Sequence, residues 1–124
     1  MKCWIIHEDY YEDLKLYDPI ENSDIIYVAK SKEEANNYID NLYNKNLDFI
    51  KSANKDSKTY RNTISDLISE KTKRKNNIVS TIKYYSIACH KLCKDKEGNE
   101  YMKLTNVNNY VYNIIEIEIK EGKD

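Results

Sequence analysis

The sequence predicts an α+β fold: a small antiparallel or mixed sheet of order β-β-α-α-β-β, with two helices packed on one face. Three observations lead to this prediction. Apolar runs rich in β-branched residues lie towards both ends of the chain, which is typical of strands. Two middle segments repeat apolar residues at spacings of three and four, as amphipathic helices do. The length of 124 residues fits a single domain, 1–124.

The first two strands are predicted from short apolar runs. Residues 3–6 form the first run, and the acidic residues 8–13 follow it. Residues 14–24 are predicted to be a loop, with a turn at Asp18-Pro19. Residues 24–30 form the second strand, and their continuous apolar character predicts burial on both faces.

The first helix has the strongest pattern in the sequence. Ser31 and Glu34 form a capping box, in which the serine hydroxyl accepts from an amide and the carboxylate accepts from the amide of the cap residue. The helix is predicted from Lys32 to about Asn54. Its apolar stripe comprises Ala35, Tyr38, Ile39, Leu42, Tyr43, Phe49, Ile50 and Ala53.

A second, shorter helix is predicted from the spacing of Tyr60, Ile64, Leu67, Ile68 and Lys71. Residues 71–75 would then be its basic last turn, because cations complement the carboxyl end of the helix dipole. Asparagines 76 and 77 would follow as the carboxyl-terminal cap.

Strands are predicted again after this helix. Residues 78–93 form one strand, and residues 94–99 form a hairpin turn. Residues 101–104 form a short strand, which a break at 105–109 separates from a half-buried strand at 111–119.

The net charge of −1 excludes a polycation that binds nucleic acid by charge alone, but the charge is unevenly distributed. Residues 1–24 carry seven acids and two lysines, whereas residues 61–83 carry six bases and two acids. The acidic stretch, interleaved with tyrosines, predicts a surface that binds a basic groove on a partner protein. A solvated loop without a partner is the alternative. The predicted binding residues are Glu8, Asp9, Tyr10, Tyr11, Glu12 and Asp13.

The basic segment gives a second hypothesis, contact with nucleic-acid phosphates. A helix end explains the same charges, and we favour that structural interpretation. The residues concerned are Lys71, Lys73, Arg74 and Lys75.

No catalytic residue, metal site or cofactor site is predicted. Cys89, His90 and Cys93 lack the spacing of a zinc knuckle, and on a strand Cys89 and His90 would point to opposite faces. Two glycines are too few for a phosphate-binding loop. A small Cys/His metal protein or enzyme is kept as a third, less favoured hypothesis.

Twelve tyrosines are present, against one phenylalanine and one tryptophan. On an outer sheet face, those of the carboxyl-terminal strands would form a platform for protein contacts or for a homodimer. Alternatively, half of them belong to the core. These tyrosines are Tyr84, Tyr85, Tyr101, Tyr110 and Tyr112.

Residues 25–39 resemble a passage of many small proteins of phages and mobile elements, in which a strand ends in a Ser-x-x-Glu-Ala cap and enters a helix. The resemblance covers about twenty residues and supplies no catalytic residue. It implies an α+β accessory protein, often one that binds and disables a host defence complex, as anti-CRISPR proteins do.

The expected function is therefore that of a non-enzymatic protein-binding module, an inhibitor of a host defence complex. The expected location is the cytoplasm. No signal peptide or membrane-length apolar run is visible, and three cysteines argue against a secreted disulfide framework.

Overall fold

The computed structural model describes residues 1–12, 22–73 and 78–119. Their secondary structure is dominated by one antiparallel sheet, whose strand order is β2-β1-β6-β5-β3, with β4 also paired to β5. A single helix lies among the described residues, so the prediction of two helices on a small sheet is wrong. The elements are β1 (Lys2–Glu12), β2 (Asn22–Ala29), α1 (Lys32–Asp56), β3 (Tyr60–Ile64), β4 (Ile68–Lys73), β5 (Val79–Lys94) and β6 (Glu100–Glu118).

The segment predicted as the second helix is in fact two short strands. β4 pairs with the first half of β5 and β3 pairs with its second half. The two short strands therefore lie end to end along this one long strand. β-branched residues such as Thr63, Ile64 and Thr72 favour this extended conformation. The helical spacing was misleading because pairing with a strand of 16 residues outweighs a weak amphipathic pattern.

Asn54, near the end of α1, fixes β3 in place. Its side chain accepts from the amide of Asn62 at 2.8 Å and donates to the carbonyl of the same residue at 2.9 Å. The side chain of Asn54 therefore satisfies both backbone groups of Asn62. Another strand could otherwise pair with these two groups. The helix thus covers this outer edge of the sheet.

Helix α1 confirms the prediction of a capped helix from Lys32. The Ser31 hydroxyl accepts from the Glu34 amide at 3.0 Å. Glu34 accepts from the amide of Lys30 at 2.9 Å, however, and not from that of the cap residue, and its carboxylate also accepts from the Tyr27 hydroxyl. This hydrogen bond from Tyr27 is the main reason that the pKa of Glu34 lies below its usual range. Phe49 of the predicted stripe is 69% exposed and is not a core residue.

We expect Ser31→Ala to lower the free energy of unfolding by about 1 kcal/mol, because the amide of Glu34 loses its acceptor. Urea denaturation followed by circular dichroism measures the change. Ser52→Ala, on an exposed position inside α1, is the matched control and should be nearly neutral. Equal losses in both variants would contradict a capping role for Ser31.

The two last strands are longer than predicted. β6 runs unbroken from Glu100 to Glu118, so the predicted break at 105–109 is wrong. That polar stretch is accommodated by a bulge, at which Cys89 pairs with Asn106 and the next residue, His90, pairs with Leu104. The hairpin turn at 94–99 is confirmed, and its Gly98 has a φ of 84°, which favours glycine.

Alternation along the strands gives the sheet an inner face, against which α1 packs, and an outer face. The inner face carries the core of both aliphatic and tyrosine side chains. The predicted burial of β2 on both faces is wrong, since Ile25 and Val28 on the outer face are 61% and 55% exposed. The buried apolar residues are Ile6, Ala29, Ala35, Ile39, Ile50, Tyr85, Ile87, Tyr112 and Ile114.

Several predictions fall wholly or partly outside the described residues. Most of the loop predicted at 14–24, with its Asp18-Pro19 turn, lies there, whereas residues 22–24 belong to β2. The cap predicted at 76 and 77 also lies there.

Candidate functional site

The predicted acidic surface is not brought together on one side of the molecule. Residues 8–12 continue strand β1, and cross-strand pairing places Glu8, Tyr10 and Glu12 on the inner face. Asp9 and Tyr11 lie on the outer face, and all five side chains are partly buried. Asp13 lies outside the described residues.

Glu8 belongs instead to a cluster of tyrosines beside the core. Tyr85 stacks on Tyr110 at 5.0 Å and lies 6.1 Å from Tyr112 between ring centroids. Burial is the main reason that the pKa of Tyr112 is raised, and its hydrogen bonds with Tyr85 and Glu8 act in the same direction. Burial also raises the pKa of Tyr110 to about 12. The carboxylate of Glu8 therefore forms a hydrogen bond within this tyrosine cluster.

Residues 71–73 of the basic segment belong to strand β4 and not to the end of a helix, so the structural explanation of their charge is wrong. Lys71 is exposed on strand β4. The side chain of Lys73, together with Arg74 and Lys75, lies outside the described residues. Contact with nucleic acid through these residues stays a prediction.

The sulfur and imidazole groups are dispersed over both faces of the sheet. Cys89 faces the core, and burial raises the pKa of its thiol. His90 lies on the outer face, in a shallow cleft with Arg61, Thr63 and Met102, which confirms the predicted separation from Cys89. The described residues contain no cluster of three or more acidic, histidine or cysteine side chains arranged to hold a metal ion.

A polar cluster that the sequence analysis missed lies on the outer face. His7 Nδ1 is 3.4 Å from Asp9 Oδ1, and Asn113 Nδ2 donates to Asp9 Oδ2 at 3.5 Å. His7 and Asp9 are two residues apart on one strand, and Asn113 lies opposite His7 on the next. In the sequence, the polar residues at the alternate positions 7 and 9 of a strand could have indicated this cluster.

Around this cluster the outer face mixes apolar with polar side chains. No described helix packs on this face, and the apolar side chains are supplied by all of the longer strands. Most of them are β-branched, as in strands that are covered on both faces. The apolar side chains are Cys3, Ile5, Ile25, Val28, Ile68, Ile82, Tyr84, Ala88, Val107, Val111, Ile115 and Ile117.

A two-stranded arm extends beyond the sheet. We define the arm as residues 92–104, which comprise the end of β5, the turn at 95–99 and the start of β6. β3 pairs with β5 only as far as Lys91, and β1 pairs with β6 only as far as Asn108. Tyr101, Met102 and Leu104 of the arm are 42–48% exposed. Tyrosine and methionine are enriched at protein interfaces.

One edge of the arm has no strand beside it among the described residues. The amide of Leu92 donates to the Thr59 carbonyl at 2.7 Å, so it faces the β3 side rather than β6. Met102, the partner of Leu92 across the strands, must therefore direct its backbone groups away from β5. Because the direction of the backbone groups alternates along a strand, the amides and carbonyls of Glu100 and Leu104 also point away from β5. Within the described ranges no strand pairs with these amides and carbonyls, which we call the open edge, whereas Asn54 covers the edge of β3.

The tyrosines predicted to form one platform are divided among several environments. Tyr85 and Tyr112 are buried in the core and Tyr110 packs against it, all on the inner face. Tyr84 is half-buried on the outer face, and Tyr101 is exposed on the arm. The alternative, in which half of them are core residues, agrees with the structure.

The described residues include no helix whose length and apolar character would let it cross a membrane. Comparisons with protein families, with curated proteins and with solved structures give no match.

Proposed function

We propose that this chain is a non-enzymatic protein-binding module, and that its arm binds an extended segment of the partner protein. The observation that carries the proposal is the open edge of residues 100–104, flanked by exposed apolar side chains. An extended segment can add to such an edge as a further strand, with main-chain hydrogen bonds for affinity and alternate side chains for specificity.

The side chains of the arm indicate what the partner segment contains. Met102 and Leu104 lie on the outer side of the arm, so alternate partner residues on that side should be apolar. On the inner side Lys103 lies directly opposite Lys91, and two like charges in register are unfavourable. An acidic residue of the partner beside Lys103 would relieve this repulsion. The partner segment is therefore apolar on one side and acidic on the other, unlike the basic groove expected from the acidic stretch.

Such a module acts by occupying a surface, as an inhibitor of a host defence complex does. The proposed setting is the cytoplasm, because Cys3, Cys89 and Cys93 are free thiols.

The experiment is a pull-down with the tagged chain, treated with nuclease and read by mass spectrometry, followed by binding measurements with the captured protein. Met102→Lys with Leu104→Lys should abolish capture, because charge replaces the apolar contacts. Met102→Pro removes one amide from the open edge without touching the ladder to β5, and should weaken binding about fivefold. Phe49→Lys makes the same kind of change on an exposed helix position and should have no effect.

The proposal is wrong if nothing is captured, or if capture is insensitive to the arm variants. Capture that nuclease abolishes would instead favour the basic segment and nucleic acid.

A further inference from the structure

A small cleft on the inner face of the sheet lies beside the amino end of α1, at the end of the sheet opposite the arm. Its volume is about 130 Å³, enough for about four water molecules of ~30 Å³ each. Its floor is formed by the sheet, where Lys71 lies opposite Thr81 and Thr81 lies opposite Ile114. Lys32, the first residue of α1, and Trp4 of β1 also line it.

Thr81 brings an unused hydroxyl group to this cleft. The residue is only 8% exposed, and its hydroxyl has no hydrogen-bond partner among the described residues. Asp9 Oδ1 and Asn113 Oδ1 are the fully enclosed, unbonded side-chain atoms of those residues, and the Thr81 oxygen is not one of them. The hydroxyl therefore reaches the cleft. Because a buried polar group without a partner is unfavourable, a ligand that bonds to this hydroxyl is stabilised.

Two lysines give the cleft a positive charge. Neither Lys32 nor Lys71 forms an ion pair within the described part of the chain. Lys83, on the same face of β5, differs from them because its ammonium group donates to Asp40 at 2.9 Å. The ammonium groups at the cleft thus lack the carboxylate that the neighbouring lysine has, and they are available to an anion.

Negative charge at the cleft is small by comparison. Glu116 contributes one carboxylate, and Lys2 Nζ lies 3.8 Å from its Oε1. Glu33 and Glu34, in the first turn of α1, line a different cleft. The amino end of a helix dipole is itself positive, so it adds to the field of the lysines.

These groups match a phosphate group in number and kind. A phosphate monoester carries about two negative charges near pH 7, which suits two ammonium groups, whereas a single carboxylate would leave one lysine without a partner. Its remaining oxygen atoms can accept a hydrogen bond from the Thr81 hydroxyl. The volume admits one phosphate group, and the ring of Trp4 offers an apolar wall to whatever group carries it.

We infer that this cleft binds a phosphate group, with Lys32 and Lys71 as its charge partners and the Thr81 hydroxyl as a further hydrogen-bond donor. The ligand is inorganic phosphate or a small phosphate monoester. The inference does not depend on the proposed function, because the arm lies at the other end of the sheet.

The fluorescence of Trp4 tests the inference, because Trp4 is the one tryptophan of the chain and lines the cleft. Inorganic phosphate should change this fluorescence saturably at millimolar concentration or below, whereas sodium chloride at equal ionic strength should not. A parallel titration with phenyl phosphate distinguishes the two sources. Tighter binding of phenyl phosphate indicates an organic monoester, and equal binding indicates free phosphate.

Variants connect the fluorescence change to the proposed residues. Lys32→Ala with Lys71→Ala should weaken phosphate binding about a hundredfold, because two charge-assisted hydrogen bonds are lost. Thr81→Val keeps the shape of the side chain and should weaken binding about fivefold. Lys45→Ala removes an exposed lysine of the same helix, outside the cleft, and should have no effect.

The inference is overturned if neither phosphate compound changes the fluorescence saturably, or if the double lysine variant binds phosphate as tightly as Lys45→Ala does. An oligonucleotide without a terminal phosphate that binds more tightly than phenyl phosphate would also overturn it, in favour of a nucleic-acid backbone on the basic segment. If Thr81→Val fails to fold, the double lysine variant decides, since Lys32 and Lys71 are exposed and their replacement leaves the core intact.

Discussion

Replacing Tyr85 by alanine should cost about 3–5 kcal/mol of the free energy of unfolding, the range for removing a large aromatic side chain from a core. Tyr85 is fully buried, stacks on Tyr110 and meets Tyr43 edge-on at 5.2 Å. Asn46 donates to its hydroxyl at 2.6 Å. Because small domains are stable by only about 5–15 kcal/mol, this variant should be close to unfolding at room temperature.

Two further variants separate packing from hydrogen bonding at this position. Tyr85→Phe keeps the ring and loses the hydrogen bonds of the hydroxyl with Asn46 and Tyr112, so it should cost about 1–2 kcal/mol in urea denaturation. Tyr101→Ala removes a tyrosine that is 48% exposed on the arm and should change stability by less than about 0.5 kcal/mol. Similar losses for Tyr85→Ala and Tyr101→Ala would contradict the assignment of Tyr85 to the core.

Alkaline pH should unfold the protein through the same tyrosines. The pKa of Tyr110 is raised to about 12, and burial also raises the pKa of Tyr85 and Tyr112 above 10.0. Between pH 10.0 and about 12 the hydroxyl of Tyr110 is ionised in the unfolded chain and still protonated in the folded chain, so the unfolded chain binds fewer protons. Stability from the neutral hydroxyls is therefore fully present below pH 10 and is lost as pH rises towards 12.

An alkaline titration that follows tyrosinate absorbance and circular dichroism together checks this expectation. Tyr85, Tyr110 and Tyr112 should ionise together with loss of the sheet signal, and Tyr110→Phe should raise the pH at which this loss occurs. Ionisation of all twelve tyrosines while the sheet signal persists would be inconsistent with the cluster.

Local patterns in the sequence predicted some elements correctly and failed where long-range pairing decides the structure. The Ser31 cap and the spacing from Ala35 to Ile50 are properties of a single helix, so α1 could be read directly. β3 and β4 are extended because β5 offers them a long edge, and their partners lie from 6 residues (Lys73 with Val79) to 31 residues (Tyr60 with Lys91) further along the chain.

The candidate sites depend even more on pairing. The acidic stretch was read as a loop, and its continuation as β1 divides Glu8 and Asp9 between two faces. The open edge at Met102 lies beyond the last described pair of β1 with β6, Glu12 with Asn108, and no local pattern reveals how far a neighbouring strand extends. The exposure of Ile25 could not be predicted, since its β-branched neighbours are equally typical of a covered strand.

The position of β1 between β2 and β6 has a consequence for how the chain acquires its structure. β1 and its neighbour β6 are paired from Lys2 with Glu118 to Glu12 with Asn108, so about a hundred residues separate the partners. During synthesis β1 can pair with β2 early, but its other edge has to wait until β6 has emerged from the ribosome. Closing so long a loop is entropically costly, so folding should be slow and should be completed only after β6 has been synthesised. Until then the apolar strands are exposed and prone to aggregate.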